Sequence, residues 1–265
     1  MSPTWATLLR HAWVRHRVVL LITAAALCLF EFVGTRLAPT PNEVGWVSTL
    51  FATLPANLRA LLGNEVALSP AGFLAVGYAH PFFMILLSAW IIRVTSAAVG
   101  GEIGRGTMDL LASRPVPRWH FVAAGAVAAA VGVAAIVLAA WLGTAIALGT
   151  RPIAARAAAF WPVILGAWLL FTAWAAIGLA ISATRRDGGA AIAWTTTIMA
   201  LSFVLDYLAR LWAPMSWLRP FSLFRYYEPQ AMVVSGVAVL SVVLLAGAIV
   251  GALIVATVGF ARRDL

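Results

Sequence analysis

An all-α, polytopic membrane protein with six transmembrane helices is the fold class that this sequence predicts. Of its 265 residues, 63% are hydrophobic and 10% charged, and the mean hydropathy is +0.97. A soluble domain carries about 25% charged residues. Several charge-free runs exceed the ~18 apolar residues that mark a membrane-crossing helix, and in lipid only a structure that satisfies its own backbone hydrogen bonds can cross. The composition excludes a disordered chain, a secreted disulfide scaffold and a nucleic-acid-binding globule. A net charge of +9 first hints at nucleic acid. However, all 18 basic residues are arginines, and they stand at the ends of apolar runs rather than on one face. That is the pattern of membrane topology, with no nucleic-acid partner.

The elements follow in order. Trp5, Leu8, Leu9, Ala12 and Trp13 fall at i, i+3, i+4, i+7 and i+8, one face of a helix, with Arg10, His11 and Arg15 elsewhere. Residues 1–17 therefore read as an interfacial helix on the membrane surface. Six spans follow, at about residues 18–35, 73–95, 120–148, 160–183, 188–206 and 233–260, forming one transmembrane domain over 1–265. Between the first two, Pro55 suits a helix start and Gly63 a helix end, and Leu54, Leu58, Leu61 and Leu62 share a face. A short helix on the outer surface is expected there. Spans four and five are separated by Arg185, Arg186 and Asp187. An arginine at the bilayer centre costs about 2.5–3.5 kcal/mol, so this cluster belongs in a short loop. The last apolar run, starting at Pro229, would be ~50 Å long against a ~30 Å hydrocarbon core, so its first residues belong to an interface or loop.

The arginines also orient the chain. With the N-terminus inside, Arg10, Arg15, Arg17, Arg93, Arg105, Arg114, Arg118, Arg185, Arg186, Arg262 and Arg263 lie inside, eleven of the 18. This places both termini in the cytoplasm. No cleavable signal is apparent, and the Arg-only, Ala-rich composition points to a bacterial inner (plasma) membrane.

Catalytic constellations are absent from the sequence. Without lysine there is no Walker A loop and no Schiff-base chemistry. The single cysteine, Cys28, permits neither an intrachain disulfide nor a paired-cysteine metal site. No metal site is expected. His11 and His16 fall on the surface helix and His120 at the inner interface, which leaves His80 as the one histidine placed for burial. Glu31 and Asp206 lie near the outer ends of spans, and Asp206 has Arg210 four residues on, the spacing of an interfacial pair. Gly247 and Gly251 form a G-x-x-x-G pattern expected to bring helices close.

The longest inner connection is the most informative. Ile103, Thr107, Leu110 and Leu111 share a helix face, and Pro115 ends the helix. On periodicity alone, residues 101–115 are either a solvated connecting helix or a docking surface. The run Gly101-Glu102-Ile103-Gly104-Arg105-Gly106-Thr107-Met108-Asp109-Leu110-Leu111-Ala112-Ser113-Arg114-Pro115-Val116-Pro117-Arg118 resembles the permease subunits of type-2 ATP-binding-cassette (ABC) transporters. That family shows an acidic residue, Arg-Gly-Thr, an acidic residue, Leu-Leu, a small residue and Pro-Val-x-Arg at this place. Gly104 departs from it, standing where the family has a second acidic residue. The six spans, the N-terminal surface helix and the Arg-Arg-Asp-Leu ending are similar as well.

The resemblance implies a membrane-spanning permease, an exporter, with no catalytic residues of its own. Its partners would be two copies of a cytoplasmic ABC ATPase, a second permease copy in a homodimer, and the lipid bilayer. The chain would bind no cofactor, with ATP and Mg held by the ATPase. Residues 101–115 would be the coupling helix, docking through Glu102, Ile103, Arg105, Gly106, Thr107, Met108, Leu110 and Leu111, with Arg114 and Pro115 shaping its exit. The interfacial helix, through Trp5, Leu8, Leu9 and Trp13, would flank the same ATPase. The stretch from Leu211 to Phe221 would match the family's outer helices. The alternative is an ATPase-independent secondary transporter or an intramembrane enzyme, which would need buried polar groups near the midplane.

Overall fold

The computed structural model describes residues 3–38, 49, 52–53, 55, 69–106, 117–151, 153–185 and 187–263, with side chains from Thr7 onward. The described residues are helical, with no strand among them. The long helices are α1 (Pro3–Leu37), α3 (Pro81–Ala98), α5 (Trp119–Leu148), α6 (Trp161–Thr184), α7 (Gly188–Leu211) and α9 (Val239–Ala261). All six are long and apolar enough to cross a membrane. Among the described residues three short helices accompany them: α2 (Pro70–Ala75), α4 (Gly100–Gly104) and α8 (Pro229–Ser235).

α1 runs without a break for 35 residues, joining the stretch expected at the interface to the first span. Between Thr4 and Val33 the sequence holds neither Gly nor Pro, so nothing in the backbone ends the helix where the charges thin out. At 1.5 Å per residue it is about 52 Å long and overshoots a ~30 Å core. The second span starts later than expected. Ser69 caps α2, accepting from Gly72 N at 3.0 Å, and a 3-10 turn (Gly77–Ala79) follows. His80 then caps α3 by accepting from Phe82 N at 3.1 Å, with Pro81 in the first helical position. The last apolar run divides as its length requires. Gly236, at φ 80°, ends α8 in a conformation that side chains with a Cβ rarely adopt, and α9 begins at Val239. The outer helix expected at 55–64 lies outside the described residues, apart from Pro55.

α5 and α6 form the centre, with α1 packed along α5 and α9 along α6. α6 is the most enclosed of the six and α9 the least. Trp90, Phe83, Phe171 and Trp174 fill the core between α3, α5 and α6. Two glycines of α5 set the packing distances. A Cβ on Gly132 would enter the Trp90 ring, and one on Gly143 would strike the Cys28 carbonyl of α1. Small residues let helix backbones approach this closely. Gly247 and Gly251 of α9, by contrast, have nothing within 4 Å of a Cβ. The expected close packing at that pattern is therefore not made within the chain.

The end of the bundle where α1 and α5 finish is tied by polar contacts. Arg36 Nη1 donates to Thr150 Oγ1 at 2.9 Å, and Arg151 donates to the Arg36 and Ala38 carbonyls. Tyr78 and Thr144 hydroxyls meet at 2.8 Å, and Tyr227 OH donates to Tyr78 O at 3.2 Å. The Asp206–Arg210 pair expected from spacing forms at 2.7 Å. It belongs to a larger network, since Arg219 bonds both Asp206, at 3.3 Å, and Glu228. This anchors the 3-10 segment Ala213–Phe221 to the end of α7.

Candidate functional site

At the opposite end, five elements converge: the first turns of α1, the segment α3–α4, the start of α5, the α6–α7 turn and the end of α9. Both ends of the described chain therefore lie on one side of the bundle. The organising residue is Glu102 in α4. It is 8% exposed, and its Oε1 accepts from Arg105 Nη2 at 2.5 Å and pairs with Arg15 of α1. One carboxylate thus fastens two helices separated by 87 positions. A buried carboxylate without such partners would lose far more hydration than it regains.

Close backbone packing holds α4 on the α6–α7 turn. Gly100 N donates to Ser182 Oγ at 3.0 Å. A Cβ on Gly188 would lie 3.2 Å from the Cα of Gly101, so the two connections touch backbone to backbone. Asp187 starts α7 as its N-cap, accepting from Ala190 N at 2.7 Å. α6 ends at Thr184 and α7 begins at Gly188, which leaves a short connection where one was expected. The Arg185 guanidinium lies over the Trp194 ring at 4.7 Å, a cation–π contact that offsets part of the cost of its half-buried charge.

Arg263 and Arg118 close the ring. Arg263 Nη1 donates to Arg185 O at 2.6 Å and to Ala183 O at 3.2 Å, carbonyls that the C-terminal turn of α6 leaves without helical partners. Arg118 Nη1 lies 2.5 Å from Arg263 O, 3.2 Å from Ala261 O and 3.3 Å from Phe260 O. Beneath these contacts is a small apolar cluster of Val99, Phe121, Leu179, Ala183 and Phe260, on which Ile103 of α4 and Leu8 of α1 both pack.

The expected site residues are thus distributed as follows. Glu102 is buried and paired, Ile103 half-buried, and Arg105 and Gly106 exposed. Gly106 leaves α4 at φ 69°, a left-handed conformation suited to glycine. Thr107, Met108, Leu110, Leu111, Arg114 and Pro115 lie outside the described residues. Leu8 joins the inner cluster. Leu9 and Trp13 line a groove against α5, and Trp5 lies in α1 with no side-chain description. Sequence reasoning missed Arg15, Ser182 and Arg263, whose partners are distant in the chain. The histidines exchange their expected places. His16 is buried, with its ring 6.2 Å from that of Trp90 in an edge-on contact, because the unbroken α1 carries that face into the bundle. His80 is exposed. Among the described residues no three His, Cys, Asp or Glu side chains gather where a metal would bind.

The Arg15–Glu102 bridge has a measurable consequence. Arg15 is 30% exposed at its side chain, so solvent screens part of the attraction. A double-mutant cycle of Arg15→Gln and Glu102→Gln, read by SDS unfolding in mixed micelles, is expected to give a coupling of about 1 kcal/mol. A coupling indistinguishable from zero would contradict the bridge.

A comparison with curated proteins gives no match. The sequence matches the family described as "ABC-2 family transporter protein" over residues 11–265, which includes α1 from its third turn, the Arg15–Glu102 bridge and the other five apolar helices. The chain therefore belongs to the ABC-2 transporter family, as a multi-pass membrane permease component of an ABC transporter.

Proposed function

We propose that this permease is an exporter, driven by two copies of a separate ATPase that dock on the end of the bundle where Glu102 sits. The chain forms a homodimer in a bacterial inner membrane with both termini in the cytoplasm. ATP and Mg bind the ATPase, and this chain contributes no catalytic residue. Residues 101–115 are the coupling helix. Glu102, Ile103, Arg105, Gly106, Thr107, Met108, Leu110 and Leu111 form its docking face, and Arg114 and Pro115 set its exit. The first turns of α1, with Trp5, Leu8, Leu9 and Trp13, flank the same partner.

One observation carries this reading: Glu102 binds the base of that segment to α1 while Gly101 touches Gly188 at the start of α7. A displacement of the base of the segment is then passed to two membrane-crossing helices at once. Packed interfaces of this kind move as discrete bodies rather than deforming continuously. The alternative, ion-coupled transport without an ATPase, has little to work with. Among the described acids within the spans, Asp206 is ion-paired, leaving Glu31, whose buried Oε1 has no hydrogen-bond partner.

The test is a pull-down through a C-terminal tag after gentle solubilisation, with mass spectrometry of what co-purifies. A P-loop ATPase in near-equal amount is the expected result. A permease recovered alone even after cross-linking, together with transport that runs on an ion gradient, would overturn it.

A further inference from the structure

The first four turns of α1 and the facing side of α5 leave an open groove between them, lined by Leu9, Trp13 and Val14 from α1 and by Val127 and Val131 from α5, with Arg10 at its rim. Its volume is about 360 Å³. Its walls are almost wholly apolar, so water filling it would find few hydrogen-bond partners. Trp13, Val14, Val127 and Val131 are between 39% and 49% exposed there, on two helices that cross the membrane, so the groove opens toward lipid.

Its charge is specific in sign. Arg10, Val14 and Arg17 fall at i, i+4 and i+7 on α1 and share one face. Both arginines are exposed, and neither forms an ion pair among the described residues. The neighbouring carboxylate, Glu102, is already engaged by Arg15 and Arg105. An apolar trough with an exposed guanidinium at its rim, beside a tryptophan suited to the membrane interface, matches one amphiphile: a long-chain lipid with an anionic head. We propose that this groove binds an anionic phospholipid, with an acyl chain along Leu9, Trp13, Val14, Val127 and Val131 and the phosphate on Arg10. The binding is tested on the permease alone, so that an ATPase flanking Leu9 and Trp13 does not compete for them.

The experiment uses the full chain in nanodiscs containing increasing fractions of brominated phosphatidylglycerol or brominated phosphatidylcholine. Bromine quenches tryptophan at contact, and the Trp13 signal is the difference between the wild type and Trp13→Phe. Phosphatidylglycerol is expected to half-quench Trp13 at about fivefold lower mole fraction than phosphatidylcholine, the ratio that ~1 kcal/mol per basic residue near an anionic headgroup implies. Arg10→Gln should erase most of that preference, and Arg262→Gln, at the exposed end of α9, should leave it intact. Equal half-points for the two lipids in the wild type would overturn the proposal, because the groove would then take any lipid. Absence of quenching by either lipid would also overturn it, showing the groove covered by a second copy or by another protein.

Discussion

Gly143→Ala is expected to destabilise the bundle by about 1–2 kcal/mol, although alanine is the better helix former. Two effects oppose each other. Replacing a mid-helix glycine by alanine gains roughly 0.5–1 kcal/mol through backbone entropy. Against it stands the Cβ, which would overlap the backbone carbonyl of Cys28. A flexible side chain could swing aside, but a carbonyl within a continuous helix cannot, so α1 as a whole must shift away from α5. Overpacking of this kind costs about 1–3 kcal/mol and occasionally more, and here it also loosens the long contact between the two helices. Gly34→Ala is the control within α1. Nothing lies within 4 Å of its Cβ, so only the entropic gain remains and stability should be unchanged or slightly raised. SDS unfolding midpoints of the two variants, measured side by side, decide the matter. If Gly143→Ala is as stable as Gly34→Ala, α1 does not approach α5 at this point.

The same comparison marks what a sequence of this type discloses. Membrane thickness acts on segment length, and charges are costly in hydrocarbon. The six apolar helices and the short connection between α6 and α7 are therefore legible from hydropathy alone. The division at Gly236 was legible as an excess of length. The identity of the helix contacts was not. Gly247-x-x-x-Gly251 carries the recognisable spacing yet faces outward, while the working close approaches are at Gly132 and Gly143, which have no such signature. Periodicity is a property of one helix, whereas a contact depends on two. His16 and Glu102 illustrate the same limit. Their burial is decided by α1 continuing past the interface to meet α3 and α4, and by Arg15 arriving from 87 positions away. The motif at residues 101–118 located the inner platform, and the structure supplied what ties it together, apart from residues 107–116, which lie outside the described part.

On the proposed docking face, Leu110→Asp combined with Leu111→Asp is expected to release the ATPase while leaving the permease inserted and folded. The two leucines follow Glu102 and Ile103 in the sequence, between the end of α4 and the start of α5. On the proposed docking face two carboxylates put no charge into hydrocarbon, so insertion and the Gly143-dependent packing should be untouched. In a partner's groove the effect is large. Each substitution forfeits the burial of a leucine, about 1.5–3 kcal/mol, and adds an unpaired carboxylate whose desolvation is costly. A combined loss above ~4 kcal/mol corresponds to about a thousandfold weaker docking, enough to abolish co-purification. The measurement is the ATPase-to-permease ratio after tag capture, with SDS unfolding of the permease alone as the folding control. An unchanged ratio with a folded permease would remove residues 107–111 from the interface. It would leave the platform around Glu102 as a purely internal brace of α1, α4 and α7.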